Sequence, residues 1–483
     1  MPVPAALARP APWPLLALLA LLPGLASAAR PAPVPATTSP VPATTSPVPS
    51  TTSPVPATTR SAAVLEDSLS LTTPLTIDDA VAIALARSPG LMAAAERVRG
   101  QSLLADAEAK PAGPSLSLDV WQVPLARPWA IHESPMIMLA LRQPIPPAGL
   151  LRRRAAARRH EASAGSAERE AQAQLLALAV RHAFIEYAAV TARHALHLEH
   201  QEVSERVLQL ARARQVISGS LLDIARAETE AARAHAEVAT DATTIDAARV
   251  RLNSLLARPP NAPLGPPVPL PDERAATDAA TLITRAPQLR PEPRAAAARR
   301  DAAAMDLEAA RREAQVPAAE LGLAFFPATK VQPINGYGLL VNVALPWLSG
   351  QGRKRRDAQA AFTAAAGHDL AEARLQVGRE VAEALAAAES AARRWQTLRG
   401  AALPASQRAR EVALSGYEVG RADLLAMLAT EGTYVEVALE IIDAKAALDH
   451  ALADLERASG SSLPRAPLHP ADPHHDTGAQ PVP

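Results

Sequence analysis

Three evenly spaced histidines are the first side chains in this sequence whose types and spacing could support chemistry. His194, His197 and His200 are three residues apart, so one face of a helix would carry all of them. Neutral imidazoles at this spacing can bind a metal ion. Arg193 and Glu199 lie among them and favour an ordinary solvated helix face instead. We therefore expect no metal site and no cofactor.

A second candidate group follows a turn sequence near Gly420. Arg421 and Asp423 come directly after this glycine, and Glu431 lies about two helical turns beyond Asp423. Carboxylates repeated around a pore would attract cations and oppose anions. Asp423 has a structural alternative, because Asp after a glycine turn and before a helical segment is a favourable N-cap. Both interpretations stay open at the level of sequence.

Two basic runs occupy matching places in the two halves of the chain. Residues 152–154 are Arg-Arg-Arg and residues 353–356 are Arg-Lys-Arg-Arg, and each run follows a pair of candidate strands. Basic side chains at such a boundary could pair with lipid phosphates. The alternative is a solvated helix start, although cations are unfavourable near a helix N-terminus.

Composition excludes several functional classes. The chain has 483 residues, with 49 basic and 49 acidic side chains, and this balance argues against a nucleic-acid partner. It contains no cysteine, which removes disulfides, thiolate metal sites, a cysteine nucleophile and a lipidated N-terminal cysteine. No P-loop, HExxH, GxSxG or strand-following GxGxxG motif occurs. We therefore expect no enzymatic activity.

Turn residues recur in pairs about 200 residues apart, which indicates an internal duplication. The pairs are Pro89 and Pro287, Pro144 and Pro346, and Gly219 and Gly420. Each copy is predicted to contain helices, two strands and a long helical hairpin. The predicted organisation is a signal peptide at 1–28, a disordered Pro/Thr/Ser-rich linker at 29–74, a first repeat at 75–258, a Pro-rich linker at 259–274, a second repeat at 275–459 and a disordered tail at 460–483.

The signal peptide is predicted from an apolar run between Trp13 and Leu25 that precedes the small-residue site Ala26-Ser27-Ala28. We expect no other apolar stretch that is long enough to cross a membrane as a helix. Any membrane insertion is therefore expected to use β-strands.

Four strands are predicted, at about 115–123, 136–145, 320–326 and 335–346. In the last strand, Tyr337, Leu339 and Val341 alternate with small or polar residues. This alternation fits a strand between lipid and a wet lumen, and it also fits a soluble hairpin with one buried face. Because four strands cannot close a barrel, a membrane location would require several chains to share one, and a trimer would supply twelve strands.

The helical segments are too long for a compact domain. No proline interrupts residues 149–216, and about 65 helical residues span roughly 100 Å. The last helix carries apolar residues every seven positions, a pattern typical of coiled-coil packing. These residues are Met427, Tyr434, Ile441, Leu448 and Leu455.

Turns connect these long helices to one another and to the strands. The hairpins are predicted to turn at Gly219 and Gly420. Pro144 with Gly149, and Pro346 with Gly352, are predicted to mark the strand-to-helix turns. The predicted fold class is mainly α with a small β part.

Six segments in their order and duplication resemble the TolC-like outer-membrane efflux proteins over about residues 75–459. They are LTIDDAVAIALARSPGL, RQPIPPAGLLRRRAAARRHEA, ARQVISGSLLDIARAE, RLNSLLARPP, VALPWLSGQGRKRRDAQAAF and LSGYEVGRADLLAMLATEGTY. The proline-then-glycine strand exits and the missing lipidation cysteine look most similar to the heavy-metal cation branch, which works with RND pumps.

The resemblance implies a homotrimer in the outer membrane of a Gram-negative bacterium, with a twelve-stranded β-barrel in lipid and a helical barrel in the periplasm. A periplasmic adaptor and an inner-membrane RND pump would dock at the hairpin tips, at Gly219, Ser220 and Gly420. In the family, acids after the tip glycine narrow the entrance. The positions aligned with them here are Ala426 and Ala429, which leaves Asp423, Glu431 and Arg421 as entrance candidates.

The cargo implied by the resemblance is heavy-metal cations. The alternatives are a drug or small-molecule conduit, a type I secretion conduit of the same architecture, and a soluble periplasmic coiled-coil scaffold or adaptor.

Overall fold

A computed structural model of the chain describes residues 71–468, apart from residues 72, 124, 216–219 and 277. The predicted signal peptide, nearly all of the predicted N-terminal linker, the tip residue Gly219 and residues 469–483 lie outside the described residues.

The described chain repeats one order of elements twice. The first copy consists of α1 (Ile77–Arg87), α2 (Pro89–Glu108), β1 (Ser115–Trp121), β2 (Met136–Ile145), α3 (Leu150–Gln215) and α4 (Leu221–Leu255). After the short strand β3 (Glu273–Ala275), the second copy consists of α5 (Ala279–Leu289), α6 (Pro291–Gln315), β4 (Ala319–Phe326), β5 (Gly336–Val343), α7 (Gln351–Thr397), α8 (Leu403–Glu418) and α9 (Leu424–Ser459). A short strand β6 (Arg465–Pro467) follows. The predicted mainly α fold with an internal repeat is confirmed.

Local sequence explains where these helices begin and how they pack. The Thr76 hydroxyl accepts a hydrogen bond from the Asp79 amide at 3.2 Å, so Thr76 is the N-cap of α1. In α9 all five residues of the seven-residue line are buried, as expected for a coiled-coil seam. Helix α3 has 66 residues and packs on α2, α4, α6 and α9.

The third long helix is interrupted near Pro404. A π-helical turn at Leu398–Ala402 joins α7 to α8, and Pro404 lies in the first turn of α8. Proline lacks the amide hydrogen that an α-helix needs at this position, and a π turn is a common local adjustment. The interruption of this helix therefore coincides with a proline.

Three apolar clusters hold the helices together. One joins α5, α7 and α9 around Val381, Trp395 and Leu448. A second joins α1, α3 and α4 around Phe184 and Leu252. A third joins the ends of α3, α4, α8 and α9, and we call it the tip cluster: Val207, Ala211, Ala227, Tyr417, Leu424 and Met427.

The ends of the described chain are more ordered than the sequence suggested. Residues 465–467 of the predicted disordered tail pair as β6 with β3, and Leu463 and Leu468 are buried in the core. Leu71, assigned to the disordered linker, forms a parallel bridge with Leu264. Both corrections have one cause, because apolar side chains at these positions reach the helical core and backbone pairing satisfies the adjacent amides.

Among the described residues, one helix segment has enough length and apolar character to cross a membrane. It lies in Leu150–Arg214, where an 18-residue window has a mean hydropathy of 1.4 and is 33% buried. The expectation that no second apolar stretch exists was therefore wrong. This helix packs on five others, α1, α2, α4, α6 and α9, which cover part of its apolar surface.

Candidate functional site: the exposed sheet and the hairpin tip

The four long strands form one antiparallel sheet in the order β1-β2-β4-β5. Its pairing register brings large apolar side chains into rows that cross all four strands. In one row Leu116 lies opposite Leu141, Leu141 opposite Leu323, and Leu323 opposite Leu339. These leucines are 68%, 50%, 60% and 75% exposed. A sheet face covered by exposed leucines is a surface that requires an apolar environment.

A second apolar row lies beside the first, toward the ends of the strands that are far from the helices. It consists of Leu118, Leu139, Phe325 and Tyr337. All four side chains are exposed, and Tyr337 is 87% exposed. The two rows together cover one face of the sheet, and they confirm the alternation predicted for the last strand.

The opposite face of the sheet carries mostly small and polar or charged side chains. Its larger apolar members are Trp121, Met136, Met138, Phe326 and Leu340. The row between the two apolar rows consists of Ser117, Ala140, Ala324 and Gly338. On the same face the Arg142 guanidinium lies 3.7 Å from the Asp119 carboxylate and 4.0 Å from the Glu320 carboxylate. One face therefore suits lipid and the other suits water, which is the two-sided pattern of transmembrane β-strands.

Among the described residues the sheet has two open edges, on β1 and on β5. Unpaired backbone groups are costly in hydrocarbon, so these edges need partners if the apolar face lies in lipid. Adjacent strands are antiparallel throughout, so β1 and β5 run in opposite directions and could pair between copies as another antiparallel ladder.

The strand-to-helix turns differ in detail from the prediction. Gly149 adopts a φ of 79°, as expected for a sharp turn before α3. In the second copy Gly350, rather than Gly352, adopts the positive φ, at 67°. Gly352 lies in the first turn of α7, where a Cβ would come within 3.0 Å of Ala314. Its role in the structure is therefore close packing of α7 on α6.

The second hairpin tip is a compact turn. Gly420 has a φ of 78°, and the amides of Arg421 and Ala422 donate to the Gly416 carbonyl at 2.8 and 3.1 Å. The Asp423 carboxylate then accepts from the Ala426 amide at 2.8 Å and caps α9. Arg421 and Asp423 are both exposed. Capping does not prevent this carboxylate from acting on ions, because its second oxygen is free to face solvent.

The first hairpin tip is described from Ser220 onward. Its hydroxyl accepts from the Leu222 amide at 3.1 Å and caps α4. The end of α3 is joined to the other hairpin because the Arg214 guanidinium donates to the Tyr417 carbonyl and lies 4.3 Å from the centre of the Tyr417 ring. With the tip cluster, this contact holds the two hairpins together.

Glu431 lies inside the helical packing and is 2% exposed. Its carboxylate accepts from Arg410 Nε at 2.8 Å and lies 3.5 Å from His200 Nδ1. Arg410 also donates to Glu199 at 2.7 Å and stacks on Tyr434 with 4.1 Å to the ring centre. Because the carboxylate is enclosed within one chain, Asp423 and Arg421 are the entrance candidates that reach solvent.

Charge pairing sets the protonation of this buried network. The interaction with Glu431 raises the pKa of His200, and the carboxylates of Glu230 and Glu237 act in the same direction. Burial alone would raise the pKa of Glu431, but pairing with His200 and Arg410 outweighs burial and lowers it. The buried site therefore favours a charged His–Glu–Arg network.

The histidine face is buried, contrary to the solvated face expected from sequence. His197 and His200 are 7% and 5% exposed, and His197 Nδ1 lies 2.7 Å from Asp241. Among the described residues, no group of three or more acidic or histidine side chains is arranged to hold a metal ion. Sequence reasoning missed the pairings because Asp241 and Glu431 lie on other helices.

Comparison with known proteins identifies the fold. No protein-family model and no curated protein matches the sequence. Among solved structures, the outer-membrane channel OprN superposes with a TM-score of 0.65 and 21% identity, over 80% of this chain and 90% of that chain. The outer membrane protein VceC from Vibrio cholerae gives 0.65 and 18%, over 80% and 96%.

This chain is also similar to the open state of the Neisseria gonorrhoeae outer membrane channel MtrE. It gives a TM-score of 0.64 and 21% identity, over 80% of this chain and 89% of that chain. The superposed structures are thus matched over 89% to 96% of their own length. The chain described here has the fold of TolC-like outer-membrane efflux channels.

Proposed function

We propose that this protein is the outer-membrane channel subunit of a tripartite efflux system. The observation that carries the proposal is the two-faced sheet. Exposed apolar rows cover one face, the other face is mostly small and polar, and both edges are unpaired among the described residues. Three copies would pair β5 of one chain with β1 of the next and close a twelve-stranded barrel. The long hairpins would continue the passage into the periplasm.

The channel itself supplies no energy in this proposal. A periplasmic adaptor would dock at the hairpin tips around Gly219, Ser220 and Gly420, and an inner-membrane RND pump would drive transport. The entrance would be lined by Arg421 and Asp423, both exposed at the second tip. The repeat organisation, with boundaries near residues 75–258 and 275–459, supplies two hairpins per chain to this wall.

Heavy-metal cations are the proposed cargo, supported by the similarity of the strand exits to the cation branch and by the carboxylate at the second tip. Drugs or other small molecules are the second candidate. The deciding measurement is the susceptibility of a deletion strain to metal salts and to antibiotics. Increased sensitivity to antibiotics alone would reject the metal assignment and leave the channel assignment intact.

The absence of cysteine makes barrel closure directly testable. Ser117→Cys on β1, combined with single cysteines placed in turn along β5, should give disulfide-linked dimers and trimers in isolated outer membranes. As a control, the β5 cysteine is moved to β2, which is paired on both sides within one chain. Chains of these variants should not become cross-linked to one another. Recovery of the mature chain as a soluble monomer would reject the channel and favour a periplasmic scaffold.

A further inference from the structure

A small cleft at the helix end of the sheet has a composition that the proposed function leaves unexplained. Its volume is about 150 Å³, and it is lined by Arg311 of α6, Trp347, and Arg353 and Arg356 of α7. Gly352 holds α7 so close to α6 that the three guanidinium-bearing side chains surround one space. This is the size and charge of a site for a single phosphate group.

The charges of the cleft remain available to a ligand. Arg353 has no ion-pair or hydrogen-bond partner among the described residues. Arg311 pairs with Glu308 at 2.5 Å and Arg356 with Asp357 at 2.7 Å, but both pairs are exposed. Exposed pairs of this kind contribute little, so these guanidinium groups can turn toward a stronger acceptor. Residues 353–357 carry four basic and one acidic side chain, which leaves the segment positive.

Neighbouring apolar residues point to the source of the phosphate. Leu345, Trp347 and Leu348 follow β5 directly and are 45%, 53% and 75% exposed. They extend the apolar face of the sheet up to the cleft. Exposed tryptophan next to basic residues is typical of the boundary between hydrocarbon and headgroups.

The cleft at the strand exit of the first copy has a different lining. Its volume is about 450 Å³, and it is mostly apolar, with Arg154, Glu313 and Arg355 as its charged members. Arg153 donates back to the Gly149 carbonyl at 3.2 Å, and Arg154 pairs with Glu313. Ile145 stands near the place that Trp347 takes in the second copy. Within the described part of the chain, the second basic run alone combines unpaired cationic groups with an exposed tryptophan. Cations at a helix start are intrinsically unfavourable, so a bound anion would relieve their repulsion.

We propose that this cleft binds the phosphodiester of an anionic phospholipid headgroup and so fixes the height of the barrel in the membrane. The inference rests on the proposed membrane location of the sheet. The lipid phosphate would lie among Arg311, Arg353 and Arg356, the Trp347 indole would lie at the headgroup level, and the acyl chains would follow the leucine rows.

The test uses the full chain, purified in detergent, with dioleoylphosphatidylglycerol added and bound lipid counted by native mass spectrometry. The Arg353→Ala/Arg356→Ala double variant should bind this lipid at least about tenfold more weakly. The matched control is Arg374→Ala/Arg379→Ala, two exposed arginines further along the same helix, which should bind as the wild type does. Equal binding by the first variant and the wild type would overturn the proposal.

Two further measurements separate the remaining explanations. Inorganic phosphate should not displace the lipid; full displacement would identify a free-phosphate site and reject the lipid source. Arg353→Gln replaces the double variant if the latter misfolds, because it is a single change at an exposed side chain. It should weaken lipid binding severalfold. A wild-type trimer that inserts into membranes without retaining the lipid would overturn this inference alone, whereas failure to insert would overturn the proposed function.

Discussion

At the residue scale, the least expected feature is the buried network of His200, Glu431 and Arg410. Its members come from α3, α9 and α8, so no local pattern could have joined them. The sequence shows a histidine every third residue and an acid after the tip, and both patterns are compatible with solvent. Tertiary packing placed these side chains inside, where desolvation makes pairing necessary.

This network predicts a pH-dependent stability. Because the pKa of His200 is raised, its stabilising charge is fully present below the ordinary histidine value of about 6.5 and is lost as pH rises through the folded value. Because the pKa of Glu431 is lowered, its contribution is present above about pH 4.5 and is lost as pH falls through its folded value. We expect His200→Gln to cost about 2 kcal/mol near pH 6 and less at higher pH.

Thermal unfolding of the purified chain across pH 5 to 9 would measure this difference. His235→Gln is the control, since His235 is exposed and its contact with Glu205 should contribute little. The melting temperatures of the wild type and of His200→Gln should therefore differ by an amount that depends on pH. A constant difference over this range would contradict a charged histidine in the network.

At the scale of elements, the sequence predicted which helices and strands exist, and in what order, better than it predicted the geometry of the turns between them. The strands and the hairpins follow from the alternation and the length of the segments. The identity of the bending glycine did not follow, because Gly350 and Gly352 are equally permissive residues. Only the packing of α7 on α6 distinguishes a glycine needed for its φ from one needed for its small size.

The glycines of this segment give a graded prediction. Gly352→Ala should destabilise by about 1–3 kcal/mol, because the new methyl group would overlap Ala314 and displace α7. Gly350→Ala should cost about 1–2 kcal/mol through its positive φ. Gly367→Ala is the control: it is helical with open space around it, so alanine should stabilise by about 0.5–1 kcal/mol. Melting temperatures in one detergent would establish the order, and a stabilising Gly352→Ala would refute the packing role.

At the scale of the whole molecule, the duplicated halves have diverged in what they contribute. Both supply two strands and a hairpin, and Asp223 at the first tip corresponds broadly to Asp423 at the second. The phosphate-sized cleft with three arginines and Trp347 belongs to the second half. Duplication was predictable from the paired prolines and glycines. The different linings of the two strand exits could not be predicted, because they depend on tertiary contacts. Arg154 pairs with Glu313 in one half, whereas Arg353 in the other half has no ion pair among the described residues.

In the proposed trimer, three Asp423 carboxylates would surround one axis, so the second tip would act on ions only in the assembled molecule. Asp423 also caps α9, so a variant must separate charge from capping. Asn caps helices as well as Asp does, whereas Ala loses about 1 kcal/mol. Asp423→Asn should therefore keep the melting temperature of the wild type while it shifts the reversal potential in a salt gradient toward weaker cation preference.

Planar-bilayer recordings of the purified channel would make this measurement, with Asp423→Ala recorded in parallel. Both variants should lose cation preference to the same extent, and only Asp423→Ala should melt earlier. A wild-type reversal potential in Asp423→Asn would assign this carboxylate to capping alone. Ion selection would then have to arise elsewhere along the passage, and the charged Asp119–Arg142–Glu320 group on the small-residue face of the sheet would be the next place to test.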